Sequence, residues 1–130
     1  MAKNRVFISY DYTNDKNYKN RLLAWDKNED LDFSFYDMSG EVSADSSDAA
    51  AIKRDISARI SDCSHLLCLV GKYTHKSRWV DWEIKTAVEL KKKIVAVQLE
   101  KNTTTPNALY GVGTSWALSF SFDVIKKALG

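Results

Sequence analysis

A glutamate stands among apolar residues in the segment SRWVDWEI, residues 77–84. This segment begins a stretch with helical periodicity that extends to Lys93. On a helix with about 100° per residue, Glu83 falls inside the apolar arc and Trp79 lies at the edge of that arc. The other members of the arc are Val80, Ile84, Ala87, Val88 and Leu90. An unpaired carboxylate in such surroundings is unfavourable unless it stays protonated, so some interaction must stabilise it.

Two explanations of Glu83 are open at this point. In the first, the carboxylate only accepts hydrogen bonds from the backbone, lysine or arginine, as structural pairs in proteins do. In the second, it is held in a partly dry cleft and stabilises positive charge on a substrate, as in the oxocarbenium-like transition state of N-glycosidic bond cleavage. Trp79, one helical turn earlier, would then form a wall of the cleft or stack on a substrate ring, and ordinary core packing explains it equally well.

Cysteine and histidine residues give little support for a metal site. Cys63, His65, Cys68 and His75 are close in sequence, but strand alternation places residues 63 and 65 on one face and residue 68 on the other. The chain also contains no paired C-x-x-C motifs. We therefore expect no metal, and we expect two reduced thiols that pack as small apolar side chains.

Two kinds of phosphate chemistry are also disfavoured. A phospho-receiver needs an acceptor aspartate at the end of the third strand, where this chain has Val70 and Gly71. A nucleotide-phosphate site needs a loop rich in glycine or hydroxyl groups after the first strand. The loop SYDYTND, residues 9–15, has no glycine and two aspartates, so it is a poor phosphate cradle.

The elements that must position these residues alternate between strand and helix. Strands are predicted at residues 5–10, 32–37, 65–71 and 93–99, with a weaker one near 116–120, and helices at 14–27, about 48–62 (capped by Ser47 or Asp48), 79–93 and from about 122. This alternation predicts an α/β fold of the flavodoxin-like kind, a three-layer sandwich with a parallel sheet of four to five strands. We expect the strand order 2-1-3-4-5, in which the second and third strands flank the first. Ligands of such sheets bind outside the carboxyl ends of the strands, where the strand order reverses. The expected crevice lies between the loops after strands one and three, residues 9–15 and 71–77, and Glu83 follows the second of these loops.

Composition and charge are those of an ordinary soluble domain. The chain has 130 residues, 45% of them hydrophobic and 28% charged, which fits a single domain over residues 1–130. Its 19 basic and 17 acidic side chains are interspersed and give a net charge of +2, so neither nucleic acid nor a membrane is an expected partner. The longest apolar run, LLCLV at residues 66–70, is too short to span a membrane, and Asp11 interrupts any signal-like segment. We therefore expect a cytoplasmic protein. We expect the basic run Lys91–Lys93 to interact favourably with the dipole at a helix end.

Two segments together resemble the signature segments of TIR domains. VFISYDYTNDK is similar to the "FISY"-like first strand of that family and its acidic, polar loop, and SRWVDWEI is similar to the W-x-x-x-E helix start that carries the catalytic glutamate. The matching residues are Phe7, Ile8, Ser9, Tyr10, Trp79 and Glu83. The segment 39–48, rich in serine and aspartate, corresponds in position to the loop after strand two. The compact length and the stretch AAIKRDISARISDCSHLLCLVG most resemble bacterial TIR-like domains of the Thoeris antiphage system, of the ThsB type.

The resemblance implies an enzyme that cleaves the nicotinamide–ribose bond of NAD and converts the ADP-ribosyl part into a cyclic or conjugated signalling nucleotide. Glu83 would be the catalytic residue, and Ser9, Tyr10, Asp11 and Trp79 would bind the substrate. NAD is then a substrate, and no resident cofactor is expected. The product would activate a separate nucleotide-sensing effector protein, and the 39–48 loop would serve substrate access and assembly of a homo-oligomer.

A competing hypothesis is a TIR-like scaffold without activity that works by homotypic assembly. Only the enzyme requires Glu83, and a scaffold would be more stable with leucine or methionine there, so the retained glutamate favours the enzyme. Trp82 falls beside Glu83 on the polar arc, which indicates a surface for a partner.

Overall fold

The alternating pattern of the sequence folds into parallel strands joined by helices in the computed structural model, which describes residues 4–25, 33–36 and 49–130. The strands are β1 Asn4–Ser9, β2 Phe33–Tyr36, β3 His65–Val70, β4 Lys93–Gln98 and β5 Ser115–Ala117. The helices are α1 Lys16–Trp25, α2 Ala49–Ser61, α3 Arg78–Glu89 and α4 Phe122–Leu129, with short 3-10 turns at Thr74–Lys76 and Asn107–Leu109. Asp37, the capping candidates Ser47 and Asp48, and the segment 39–48 lie outside the described residues.

All five strands are parallel and lie in the order β2-β1-β3-β4-β5, which confirms the predicted α/β fold and its strand order. The apolar run of β3 occupies the centre of the sheet, where both faces are covered and apolar residues are required at every position. Because the chain moves outward in one direction from β1 to β2 and in the other from β3 to β5, the strand order reverses between β1 and β3. The carboxyl ends of these two strands therefore bound the crevice in which ligands of this fold class bind.

Two apolar clusters cover the two faces of the sheet. One cluster joins the sheet to α1 and α4 through Val6, Ile8, Leu22, Leu67, Leu69, Ile125 and Leu129. The other joins it to α2 and α3 through Phe7, Ile56, Ile60, Leu66, Cys68, Val80 and Ile84. Since side chains alternate along a strand, β1 directs Phe7 and Ser9 to the α2–α3 face and Ile8 to the α1–α4 face.

Helix α3 is shorter than its periodicity predicts. Ser77 caps its start by accepting a hydrogen bond from the backbone N–H of Val80 at 3.2 Å. Its end is at Glu89 instead of Lys93, because Lys91 takes a left-handed conformation with φ of 61° that turns the chain into β4. Leu90, predicted for the apolar arc, is consequently 38% exposed at the C-cap.

The basic run after α3 binds the ends of two other helices. The Nζ atom of Lys92 donates to the carbonyl of Ser61, the last residue of α2, at 3.0 Å. The Nζ atom of Lys93 donates to the carbonyl of Leu129, the last residue of α4, at 3.3 Å. The predicted contact of this run with a helix end is present, because lysine cations attract the carbonyls at the end of a helix. The helices that these two ammonium groups contact are α2 and α4, instead of the helix that precedes the run.

The two cysteines pack inside the protein, and the two histidines lie nearer its surface. Cys63 and Cys68 are buried free thiols, and burial is the main cause that raises the pKa of each. His65 lies with its Nε2 atom 2.9 Å from the carbonyl oxygen of Leu129. In the part of the chain that the structure describes, no group of three potential ligands could hold a metal ion, and no helix is long and apolar enough to cross a membrane.

Candidate active site at the carboxyl ends of β1 and β3

A buried pair of polar side chains lies where β1 meets α3. Glu83 is 6% exposed and Ser9 is fully buried. The hydroxyl of Ser9 donates a hydrogen bond to Oε1 of Glu83 at 2.8 Å. This bond supplies part of the stabilisation that a carboxylate inside an apolar arc requires, because hydrogen bonds to a charged acceptor are stronger than those between neutral groups. The prediction that the helix buries Glu83 at the edge of the sheet is confirmed.

The carboxylate of Glu83 also faces the central strand. Cys68 pairs in register with Ser9 across β1 and β3, and its thiol is completely buried. Burial, followed by the negative charge of Glu83, raises the pKa of Cys68 well above its usual range. Electrostatic interactions in such surroundings are stronger than in water. A positive charge that develops next to Glu83 would therefore be stabilised effectively.

Replacement of Ser9 by alanine is expected to weaken both the fold and any reaction that uses Glu83. A hydrogen bond to a charged group contributes about 1.5–3 kcal/mol, so urea denaturation should show a loss of that order. Steady-state kinetics should show a fall in kcat of roughly 10-fold, because the carboxylate loses the group that fixes its orientation. Ser64→Ala removes an exposed hydroxyl that donates to the carbonyl of Arg5 at the other end of the strands, and it is the matched control. An unchanged kcat in the Ser9 variant would remove its positioning role.

Asp11 closes the turn that follows β1. Its Oδ1 atom accepts the backbone N–H of Thr13 at 3.1 Å, and its Oδ2 atom accepts the side-chain amide of Asn14 at 2.6 Å. The carbonyl of Asp11 accepts the N–H of Asp15 at 2.9 Å, which leads the chain into α1. These bonds give Asp11 a structural role in an Asx-type turn. Its predicted contact with substrate stays a prediction.

Tyr10 and Trp79 occupy different surroundings. Tyr10 is buried in the cluster that covers the α1–α4 face, with the Nζ atom of Lys19 at 5.9 Å from its ring centroid. Trp79 is half-buried on the α2–α3 side, one turn before Glu83. The structure thus brings Ser9 to Glu83 and places the ring of Tyr10 on the other side of the sheet. The predicted substrate contacts of both aromatic residues stay predictions.

Trp82 is less exposed than its place on the polar arc predicts. It is half-buried and packs, like Trp79, against the cluster between α2 and α3. The two indole rings lie 6.0 Å apart between centroids at an interplanar angle of 86°. The Nζ atom of Lys53, on α2, lies 5.9 Å from the centroid of Trp79 and 5.7 Å from that of Trp82. The two helices therefore meet through these rings and one cation.

A second buried carboxylate ties the two loops of the crevice together. Thr74 accepts the N–H of Gly71 on its hydroxyl oxygen at 2.8 Å. The same hydroxyl has one proton and two acceptors within reach, the carbonyl of Leu69 at 3.1 Å and Oδ2 of Asp15 at 3.4 Å. Protonation of Asp15 would relieve this competition, because its own O–H could then donate to Thr74. The sequence does not predict the contact between Asp15 and Thr74. An aspartate just before a helix is typical of an N-cap, so Asp15 gives no sign of a longer-range partner.

The surroundings of Asp15 favour its protonated form. Burial, then the negative charge of Asp11, and to a smaller extent that of Glu100, raise the pKa of Asp15 from 3.8 to about 6, against the lowering effect of the hydrogen bond from Thr74. The native state therefore holds this proton more tightly than the unfolded chain does. Stability from this group is present below about pH 4 and is lost as the pH rises to about 6.

Replacement of Asp15 by asparagine is expected to stabilise the protein at neutral pH. The raised pKa corresponds to a penalty of about 2–3 kcal/mol once the carboxyl is ionised, and asparagine carries no such charge. Urea denaturation at a series of pH values should show a gain that is largest above pH 6 and small near pH 4. A difference between the two proteins that is constant over this range would contradict the assignment, since the titration of the other groups is common to both.

Comparisons with known proteins agree with this architecture. No curated protein matches the chain. A solved structure of the CMP N-glycosidase BcmB of Clostridium botulinum superposes with a TM-score of 0.63 at 16% identity, covering 96% of this chain and 97% of that one. A 3-dehydroquinate dehydratase-like protein from Bifidobacterium longum superposes with a TM-score of 0.51 at 16% identity, covering 99% of this chain and 93% of that one. At these identities both likenesses show the fold.

A likeness in sequence identifies the family. The family model described as "Thoeris protein ThsB, TIR-like domain" matches residues 7–104, a span that begins in β1 and includes Ser9, Trp79 and Glu83. The match thus contains Phe7–Tyr10 of the first signature segment, the whole of the second segment, and the buried pair that joins them. The chain belongs to the family of TIR-like domains of the Thoeris protein ThsB.

Proposed function

We propose that this protein cleaves the nicotinamide–ribose bond of NAD and converts the ADP-ribosyl part into a cyclic or conjugated signalling nucleotide in antiphage defence. The observation that carries the proposal is the carboxylate of Glu83, buried at the switch point of the sheet and hydrogen-bonded by Ser9. Membership of the ThsB family supports the defence role. The Clostridium botulinum protein of the same fold is a CMP N-glycosidase, so the fold accommodates chemistry on an N-glycosidic bond.

The proposed reaction uses Glu83 to stabilise a cation. When the bond between the ribose and nicotinamide breaks, its electron pair leaves with the pyridine nitrogen, and nicotinamide departs neutral. The ribose then carries the positive charge of an oxocarbenium-like species, which a carboxylate in low-dielectric surroundings stabilises. A nucleophile on the same molecule or on an acceptor forms the new bond and loses its proton. Ser9 holds the carboxylate in one orientation, and the ring of Trp79 would pack against the nicotinamide or ribose.

The product and its receiver belong to the same proposal. The nucleotide would act on a separate effector protein, and segment 39–48 would serve substrate access and self-association. A scaffold without activity would share the fold, but it would have no need of a buried acid at position 83.

The experiment that tests the proposal is incubation of the protein with NAD at high protein concentration, followed by mass spectrometry of every nucleotide formed. We expect free nicotinamide together with a product that has the mass of ADP-ribose less water, which indicates cyclisation, or a heavier adduct, which indicates transfer. A reaction without any nicotinamide release would overturn the proposal.

A further inference from the structure

We propose that Lys53 binds the diphosphate of the substrate and makes this site select a dinucleotide over a nucleoside that has no phosphate. The inference rests on the proposed function, because it assigns the group that recognises the part of NAD next to the reacting sugar. The observation behind it is the position of the Lys53 ammonium group over two indole rings beside the Glu83 helix turn.

The location of Lys53 fits a substrate held by Glu83. Helix α2 begins at Ala49, and Lys53 lies one turn further along it. Its ammonium group is over the ring of Trp79, and residues four apart on a helix lie on the same side, so Trp79 and Glu83 share one side of α3. The diphosphate of NAD is attached to the same ribose that loses nicotinamide. If Glu83 contacts the ribose, the diphosphate must lie about one ribose length away from Glu83. That length is similar to the rise of one helical turn, about 5.4 Å.

The charge of Lys53 is available for an anion. Among the residues that the structure describes, the contacts of its ammonium group are the two indole rings, and no carboxylate there forms an ion pair with it. A cation held over aromatic rings keeps its full charge and its N–H donors, because the rings offer a diffuse negative face instead of a counter-ion. The rings thus fix the position of the ammonium group without neutralising it.

The buried acidic groups of the crevice favour a cation next to the substrate. Asp11, Asp15 and Glu83 are all buried near the carboxyl ends of β1 and β3. These acidic groups favour a cationic sugar but repel a diphosphate, so a positive charge on the side of Glu83 would favour binding of NAD. The buried cation Lys19 lies on the α1–α4 side of the sheet, whereas Lys53 lies on the α2–α3 side with Glu83. A lysine ammonium group is a compact point charge that suits phosphate oxygens.

A purely structural role for Lys53 makes a different prediction. If its aliphatic stem only fills the seam between α2 and α3, a side chain of similar shape without charge should preserve every function. Lys53→Met is such a change, and Lys53→Arg keeps the charge. Arg54→Met is the matched control, since it removes one positive charge from an exposed position on the same helix.

The test compares NAD with nicotinamide riboside, which has the same scissile bond and no phosphate. Nicotinamide release should give a KM for NAD that rises 10-fold or more in Lys53→Met and stays within about 3-fold of the unmodified protein in Lys53→Arg and Arg54→Met. The KM for nicotinamide riboside should not change. Equal changes for both substrates in Lys53→Met, or no change for either, would overturn the proposal.

A binding measurement separates this proposal from the proposed reaction. Calorimetric titration of ADP-ribose into Glu83→Gln should give a Kd that is 10-fold or more weaker when Lys53→Met is added, with no effect of Arg54→Met. This result would support the role of Lys53 even if NAD were not turned over. An unchanged Kd would refute the role of Lys53 and leave nicotinamide release by the unmodified protein unaffected.

Discussion

Glu83→Gln is expected to abolish nicotinamide release from NAD while the protein stays folded. Glutamine has nearly the same shape, and its carbonyl oxygen can still accept the hydrogen bond from Ser9. It has no negative charge, however, and the stabilisation of a cationic ribose depends on that charge. Loss of a central electrostatic group in an active site lowers kcat by roughly 10²–10³-fold. Nicotinamide measured by liquid chromatography after incubation with NAD should fall to the background rate.

The stability of this variant distinguishes a chemical defect from a folding defect. Neutralising a buried carboxylate removes the cost of its desolvation, so the melting temperature should stay the same or rise. Glu89→Gln is the matched control, because Glu89 is exposed at the end of the same helix and should retain full activity. Full activity of Glu83→Gln in the presence of a normal fold would end the catalytic assignment.

Gly71→Ala is expected to destabilise the protein by about 1–3 kcal/mol, the range found for overpacking of buried sites. A Cβ atom at position 71 would lie 2.8 Å from Oδ1 of Asp15 and closer still to Oδ2. Asp15 would have to move away from Thr74, and the contact between the loops after β1 and β3 would open. Urea denaturation measures the loss, and a fall in kcat should accompany it if these loops position the substrate.

A double-mutant cycle shows whether Asp15 causes this loss. In an Asp15→Ala background the carboxylate is absent, so Gly71→Ala should cost much less than it does in the unmodified protein. Equal costs in both backgrounds would show that the alanine clashes with something other than Asp15. The cycle needs only equilibrium unfolding and therefore does not depend on the substrate.

Periodicity was sufficient to predict the sheet and the position of Glu83. Apolar runs such as that of β3 can be buried only at the centre of a parallel sheet, and the alternation of strand and helix restricts the order of strands to few solutions. A helical projection places Glu83 inside the apolar arc, where the structure finds it. The burial of Glu83 follows from the periodicity of a single helix. The sheet follows from rules that hold for all α/β folds with parallel strands.

The remaining features depend on contacts between distant segments. The end of α3 is set by the left-handed conformation of Lys91, which is not a typical residue for that region. The link between Asp15 and Thr74 and the position of Lys53 over two tryptophans each join elements that only the complete fold brings together. The projection of α3 alone places Trp82 on the polar arc, because it does not include the packing of this ring against the cluster between α2 and α3.

The bond between Ser9 and Glu83 spans 74 positions of the chain and has a consequence for biosynthesis. A nascent chain that has been synthesised only as far as α2 contains Ser9 but not Glu83. Glu83 is added when α3 is synthesised. Because small domains of this kind fold cooperatively, a chain that ends before α3 cannot assemble the candidate site. The buried pair of the candidate site therefore forms only together with the complete tertiary structure.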